Sequence, residues 1–464
     1  MIRSARIATL AAVVLAVLHA PAVSAAGAVV PFIADDYPQA LAQARARNLP
    51  IFLEAWAPWC HSCRSMQAYV YTDAKLAPFA DRFVWLAIDT EKPSNAATVA
   101  QFPVGAWPSM YVIDPKTETV AFRWTGSATI EQLLEFLDEA RAALAGASDS
   151  KPLAAPTTLA VATGPALAAE LSEADRLNGA ASWDAAANAY AAVLARAPAG
   201  WASLPRAADA YLFSLLKADR EADCARAALE LLPKLAGNPS SATVAASGLD
   251  CAVALPTDAA GRAAAISGLE KAARTALADP RLGIAADDRS GLYISLIGAR
   301  DDARDESGKK QLTGEWIALL ESSAAQAPTP AARAVFDSHR LSAYLEIGEP
   351  QRAIAMLEVS ERDFPTDYNP PARLAVAYRA MKDYPHALAA SDRALPLTYG
   401  PRRLGILRTR AKIQDESGDR PAARATLEKA LVEARALPAG QVSERTLAAM
   451  LAELDAMEVP AAHP

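Results

Sequence analysis

The chain runs to 464 residues, of which 52% are hydrophobic, 21% charged and 6% aromatic. That is apolar material enough for two or three domains and too much for a disordered chain. A formal net charge of -7 leaves no basic excess with which to neutralise phosphates, so nucleic acid is excluded as an expected partner. The chain has no dinucleotide-type Gly-x-Gly-x-x-Gly, no phosphate-loop Gly-x-x-x-x-Gly-Lys and no Gly-x-Ser-x-Gly elbow, which turns attention to its four cysteines.

At the start, Arg3 and Arg6 precede an apolar run from Ile7 to Leu18, and the small residues Val23-Ser24-Ala25 follow. This is the pattern of a cleaved secretory signal, so residues 1–26 are expected to be removed and the protein to be periplasmic or secreted. A membrane anchor is the competing reading, but the run falls short of the roughly 20 residues that cross a bilayer. No later segment is apolar enough, so no transmembrane span is expected after signal cleavage. In an oxidising compartment cysteines are paired or redox-active.

The next stretch predicts a helix from Tyr37 that closes on Arg45 and Arg47, then a buried strand over Leu49–Trp56. Ala57-Pro58-Trp59-Cys60-His61-Ser62-Cys63-Arg64 follows, where strand gives way to helix. Cys60 at a helix start meets unpaired N–H groups and the positive end of the macrodipole, both of which favour thiolate. Cys63, one turn along, is the natural resolving thiol. A c-type haem would need His where Arg64 stands, and zinc would need two further ligands at comparable spacing, so neither metal nor cofactor is expected beyond the Cys60–Cys63 pair itself.

The run Phe52–Cys60 resembles the strand-to-active-site segment of the thioredoxin superfamily. Val84–Asp89 resembles its central strand, Phe102–Ser109 its cis-proline loop, and Met110–Asp114 with Val120–Trp124 its closing hairpin, before Gly126 and a helix carrying Leu133–Leu137. The resemblance covers about a quarter of the chain and implies an α/β thioredoxin fold, a mixed sheet flanked by helices, over residues 27–145. It also implies residue roles. Glu54 falls where the family places a buried carboxylate that takes the proton from the second cysteine; the alternative is a solvated acid on a strand edge. Pro108 falls at the cis-proline, and with Trp59 and Trp107 forms a ledge for an extended substrate segment; the alternative is an ordinary trans turn. His61, if protonated, would stabilise the Cys60 thiolate and make the disulfide more oxidising; the alternative is a solvated bystander. The direction of electron flow stays open.

Small residues and proline over 146–165 predict a linker. Beyond it, residues 166–464 are rich in Ala, Leu, Arg and Glu with helical spacing. Gly348-Glu349-Pro350-Gln351-Arg352-Ala353 recurs as Lys382–Ala387 and Gly418–Ala423, with an isolated copy at Ala181–Ala186. The period of about 34 residues resembles the tetratricopeptide repeat and implies an all-α repeat domain that binds a protein or peptide. Residues 200–330 fit the pattern poorly. Cys224 and Cys251, in that stretch, either bridge two helices or stay buried as free thiols.

Together these features point to an exported thiol–disulfide oxidoreductase of the reductase or isomerase type. Its partners would be protein thiol or disulfide clients and an upstream redox partner. The alternative is a redox-sensitive repeat scaffold without essential catalysis.

Overall fold

The computed structural model describes residues 29–145 and 165–457. The expected signal segment 1–26 and nearly all of the expected linker lie outside the described residues; Pro165, assigned to that linker, opens a helix.

The N-terminal unit is a five-stranded mixed sheet in the order β1-β3-β2-β4-β5. Its strands are β1 (Ile33–Ala34), β2 (Ile51–Trp56), β3 (Val84–Asp89), β4 (Ser109–Asp114) and β5 (Thr119–Thr125). β3 runs parallel to β1 and β2, while β4 is antiparallel to β2 and β5. Helices α1 (Tyr37–Arg47), α2 (His61–Ser65), α3 (Ala96–Gln101) and α4 (Ile130–Ala145) flank the sheet, and α2 continues into a π-helical turn over Met66–Val70.

β2 is central and buried on both faces, which is why it reads as an unbroken apolar run. Alternation sends Ile51, Leu53 and Ala55 into a core with Tyr37, Ile88 and Phe102. Phe52 goes to the opposite core with Phe32, Tyr71 and Trp85. Glu54 shares the face of Phe52, so the same period that builds the sheet drives a carboxyl group into an aromatic core.

The rest of the described chain is helical. It runs through α5 (Pro165–Gly179), α6 (Trp183–Arg196), α7 (Leu204–Lys217), α8 (Glu221–Leu231), α9 (Ser240–Ala254) and α10 (Arg262–Ala278). Next come α11 (Ala286–Asp302), α12 (Glu306–Gln326), α13 (Pro330–Ala334), α14 (Asp337–Glu346) and α15 (Arg352–Asp363). The last are α16 (Asn369–Ala380), α17 (Tyr384–Ala394), α18 (Gly400–Glu416), α19 (Arg420–Ala436) and α20 (Glu444–Asp455). None is long and apolar enough to cross a membrane among the described residues.

One turn builds six helix hairpins. Ala181, Asp219, Arg304, Gly348, Lys382 and Gly418 all have left-handed backbone, and the residue after each donates its N–H to the carbonyl five positions back. These bonds run from Ser182, Arg220, Asp305, Glu349, Asp383 and Asp419 to Leu177, Leu215, Arg300, Tyr344, Tyr378 and Gln414, at 2.8–3.0 Å. Two of the six, at Asp219 and Arg304, lie in the stretch whose sequence fitted the repeat poorly. Five residues past the left-handed position the chain carries Ala186, Cys224, Ala353, Ala387 and Ala423, all fully buried where the paired helices meet. Cys224 thus takes a slot that elsewhere holds alanine, and its Sγ is bonded to that of Cys251 on α9.

Candidate functional site

Cys60 caps the N-terminus of α2 and is bonded to Cys63, with the two Cα atoms 5.3 Å apart. The Cys60 Sγ accepts a hydrogen bond from the Cys63 backbone N–H at 3.0 Å. Ala57, Trp56, Trp59 and Trp107 enclose the sulfurs in a small apolar cluster. The rings of Trp59 and Trp107 meet edge to face at 5.1 Å. The Trp107–Pro108 peptide is cis, and the Trp107 indole donates to Thr90 Oγ1 at 2.8 Å.

Glu54 is 1% exposed. Burial pushes its carboxyl up to about 8, and the polar ends of Gln67 and Tyr71 nearby offset only part of that rise. Glu54 Oε1 is buried without a hydrogen-bond partner of ordinary geometry, so one oxygen of the acid is left open. A carboxyl poised near 8 can exchange a proton with a thiol at neutral pH.

His61 is half-buried and engages the helical unit. Its Nδ1 is hydrogen-bonded to Asp287 on α11, and its ring lies 3.7 Å, centroid to centroid, from that of His339 on α14. Asp287 is buried, which by itself raises its pKa, but the hydrogen bond and charge of His61 outweigh this and hold it below the usual carboxylate range. Burial, then the charge of His61, pushes His339 down to about 3.

Sequence reasoning missed a whole wall of this site. The helical unit closes over the start of α2. Arg64 pairs with Asp367 at 2.7 Å, and Asn369 at the head of α16 donates to the Pro58 carbonyl at 3.0 Å. Beside Trp59, whose indole N–H donates to Glu91 at 3.1 Å, the N-terminus of α18 seats the Arg402 N–H on the other oxygen of the same carboxylate at 2.7 Å. The Tyr399 hydroxyl donates to Asp89, an acid that burial pushes up to about 6. Under this roof Cys60 is 4% exposed and Cys63 is fully buried. No local signal announces this wall, since His61 and Arg64 on a solvated helix would need no partners.

Comparisons with known proteins rest on the N-terminal unit. A family model described as Thioredoxin-like matches residues 33–115. Thioredoxin from Haemophilus influenzae is 31% identical over 93 residues, a stretch that covers 20% of this chain and 80% of that protein. The chain belongs to the thioredoxin family. Thioredoxin C-3 of Corynebacterium nephridii is 30% identical over 92 residues, 20% of this chain and 59% of its own. The thiol:disulfide interchange protein DsbD of Pseudoalteromonas atlantica is 27% identical over 82 residues, 17% of this chain and 14% of its own. The chain therefore spans only part of the length of some of these relatives, and the helical unit lies beyond the residues matched by the family model. The thioredoxin family works through a redox-active cysteine pair without a cofactor, and here that pair is Cys60 and Cys63.

Proposed function

We propose that this protein is an exported thiol–disulfide oxidoreductase acting on protein disulfides, with its helical unit serving as a tetratricopeptide-like client-binding domain. The observation that carries the reading is the Cys60–Cys63 bond at the head of α2 with the carboxyl of Glu54 buried in the adjoining core. Export is supported by the basic and apolar pattern of residues 1–26.

In the reducing direction the Cys60 thiolate attacks one sulfur of a client disulfide. The client S–S bond breaks, a mixed disulfide forms and one client thiolate leaves. Cys63 passes its proton to Glu54 and attacks Cys60 Sγ, releasing the second client thiolate and leaving Cys60–Cys63 oxidised. Trp59, Trp107 and the Pro108 loop supply the ledge on which the client backbone rests. An upstream redox partner restores the starting state, and the reduction potential of the pair, measured against glutathione, assigns reductase or oxidant.

A Cys63→Ser variant tests the reading, because it stops the reaction after the first step. Mixed disulfides with envelope proteins should then accumulate and disappear on reduction. If no such adducts form and the wild type neither reduces insulin nor oxidises dithiols, the reading fails. The near-complete cover over Cys60 favours a second reading, a redox-sensitive scaffold, under which a Cys60→Ser/Cys63→Ser double variant keeps full function in cells.

A further inference from the structure

Three side chains far apart in sequence converge where the two units meet. His61 comes from α2, Asp287 from the first turn of α11, and His339 from α14. Each offers one ligand atom, and these atoms lie within 4.8 Å of one another. We propose that His61, Asp287 and His339 form a binding site for a borderline divalent transition-metal ion, with zinc as the reference ion.

The chemistry of the donors selects the ion. Two imidazole nitrogens and one carboxylate oxygen suit zinc and its neighbours, whereas calcium and magnesium take cages of oxygen. Three protein ligands leave a fourth position for water, the arrangement of an open zinc site.

The surroundings also fit. His339 Nδ1 lies 2.7 Å from Ser290 Oγ, and that oxygen in turn receives the Trp316 indole N–H at 2.6 Å. A fully buried serine held in this way fixes the imidazole ring and leaves its Nε2 as the free donor, as outer partners of metal-bound histidines do. Asp287 is itself buried, and Asp288 beside it accepts from Ser127. No spacing in the sequence reveals the set, because its members are 226 and 52 residues apart and only the closure of the helical unit onto α2 unites them.

The site contains no sulfur, so it can be tested apart from thiol exchange. The untagged full-length chain, oxidised so that both disulfides are intact and stripped with a chelator, is titrated with cobalt and then with zinc. Saturation at one ion per chain is expected. Cobalt should give the visible bands of a four-coordinate nitrogen and oxygen site without a thiolate charge-transfer band, and zinc should displace it. Zinc should raise the melting temperature of the wild type. His339→Ala and Asp287→Asn should each weaken zinc binding at least ~10-fold, while His386→Ala, at an exposed histidine outside the set, should not. Absence of saturable binding, affinity unchanged in His339→Ala, or a thiolate band would overturn the proposal and leave His61 and Asp287 as an ion pair only. Should a variant fail to fold, the wild-type cobalt spectrum and stoichiometry decide alone.

Discussion

The side-chain amide of Asn369 donates to the carbonyl of Pro58, which fastens the helical unit two positions ahead of Cys60. The same Asn369 is oriented by Asp367, whose carboxylate accepts from its backbone and side-chain nitrogens at 2.9 and 2.7 Å and also takes the Arg64 guanidinium. One carboxylate therefore organises both bonds that hold the roof on this side.

Asp367→Ala should loosen that roof. Hydrogen bonds to charged groups contribute about 1.5–3 kcal/mol each, so the open state should become at least ~10-fold more populated. The rate at which iodoacetamide alkylates Cys60 in the reduced protein should rise by a similar factor. A rate equal to that of the wild type would mean that the helical unit does not control access.

Glu54 should leave its mark on the pH dependence of stability. The folded chain holds this proton up to about pH 8, the unfolded chain only to its ordinary value of 4.5. Between those values the folded state binds more protons, so stability should fall as pH rises, by at most about 1.4 kcal/mol per pH unit from this group. Glu54→Gln should flatten the slope, with a remainder from Asp89, Asp288 and Asp209, which burial pushes up to about 6, about 6 and about 7, and an opposing contribution below about pH 6.5 from His339, which burial pushes down to about 3. Urea denaturation at pH 5 and pH 8 measures it. The same variant should slow the resolving step roughly 100-fold, seen as longer-lived mixed disulfides.

The Cys224–Cys251 bond closes a loop with a sequence separation of 27. Chain-entropy reasoning assigns such a loop about 3–4 kcal/mol. A Cys224→Ala/Cys251→Ala variant should lose stability on that scale by denaturation of the helical unit, while the dithiol chemistry of Cys60 and Cys63 in the N-terminal unit persists. Loss of both together would show that the two units unfold as one.

Gly400 opens α18 with a φ of +54°, and any Cβ there would overlap the carbonyl oxygen of Glu91. Gly400→Ala should unseat α18 from Trp59 and Glu91, costing at least about 1–3 kcal/mol in backbone strain. Tryptophan fluorescence and the melting temperature should both report the change; an unaltered protein would refute this account of the α18 seat.

Four strands of the sheet and the helix capped by Cys60 were legible in the sequence because their signals are local, whereas the two-residue β1 at the sheet edge was too short to be read. An apolar run such as Ile51–Trp56 needs only its neighbours to be read as a strand. Four of the helix hairpins were legible through their turns and small residues, at Ala181, Gly348, Lys382 and Gly418. The pair at Asp219 and Arg304 escaped because Cys224 and Lys309 replace the alanine that follows the turn in the other four. Helix packing on either side imposes the turn on residues that would not choose it. The roof was illegible for another reason. Asp287, His339, Asp367 and Asn369 are ordinary helix residues in their own segments, and they acquire meaning only when the helices fold back over α2.

That roof has an order of assembly. The N-terminal unit is complete by Ala145, whereas the residues that cover Cys60 lie between Asp287 and Arg402. At about 5–20 residues per second of synthesis, the last of them follows the first unit by on the order of tens of seconds. The sulfurs are made before their cover. The helices that cover the cysteine pair, α11 to α18, are thus the later part of the chain to be made.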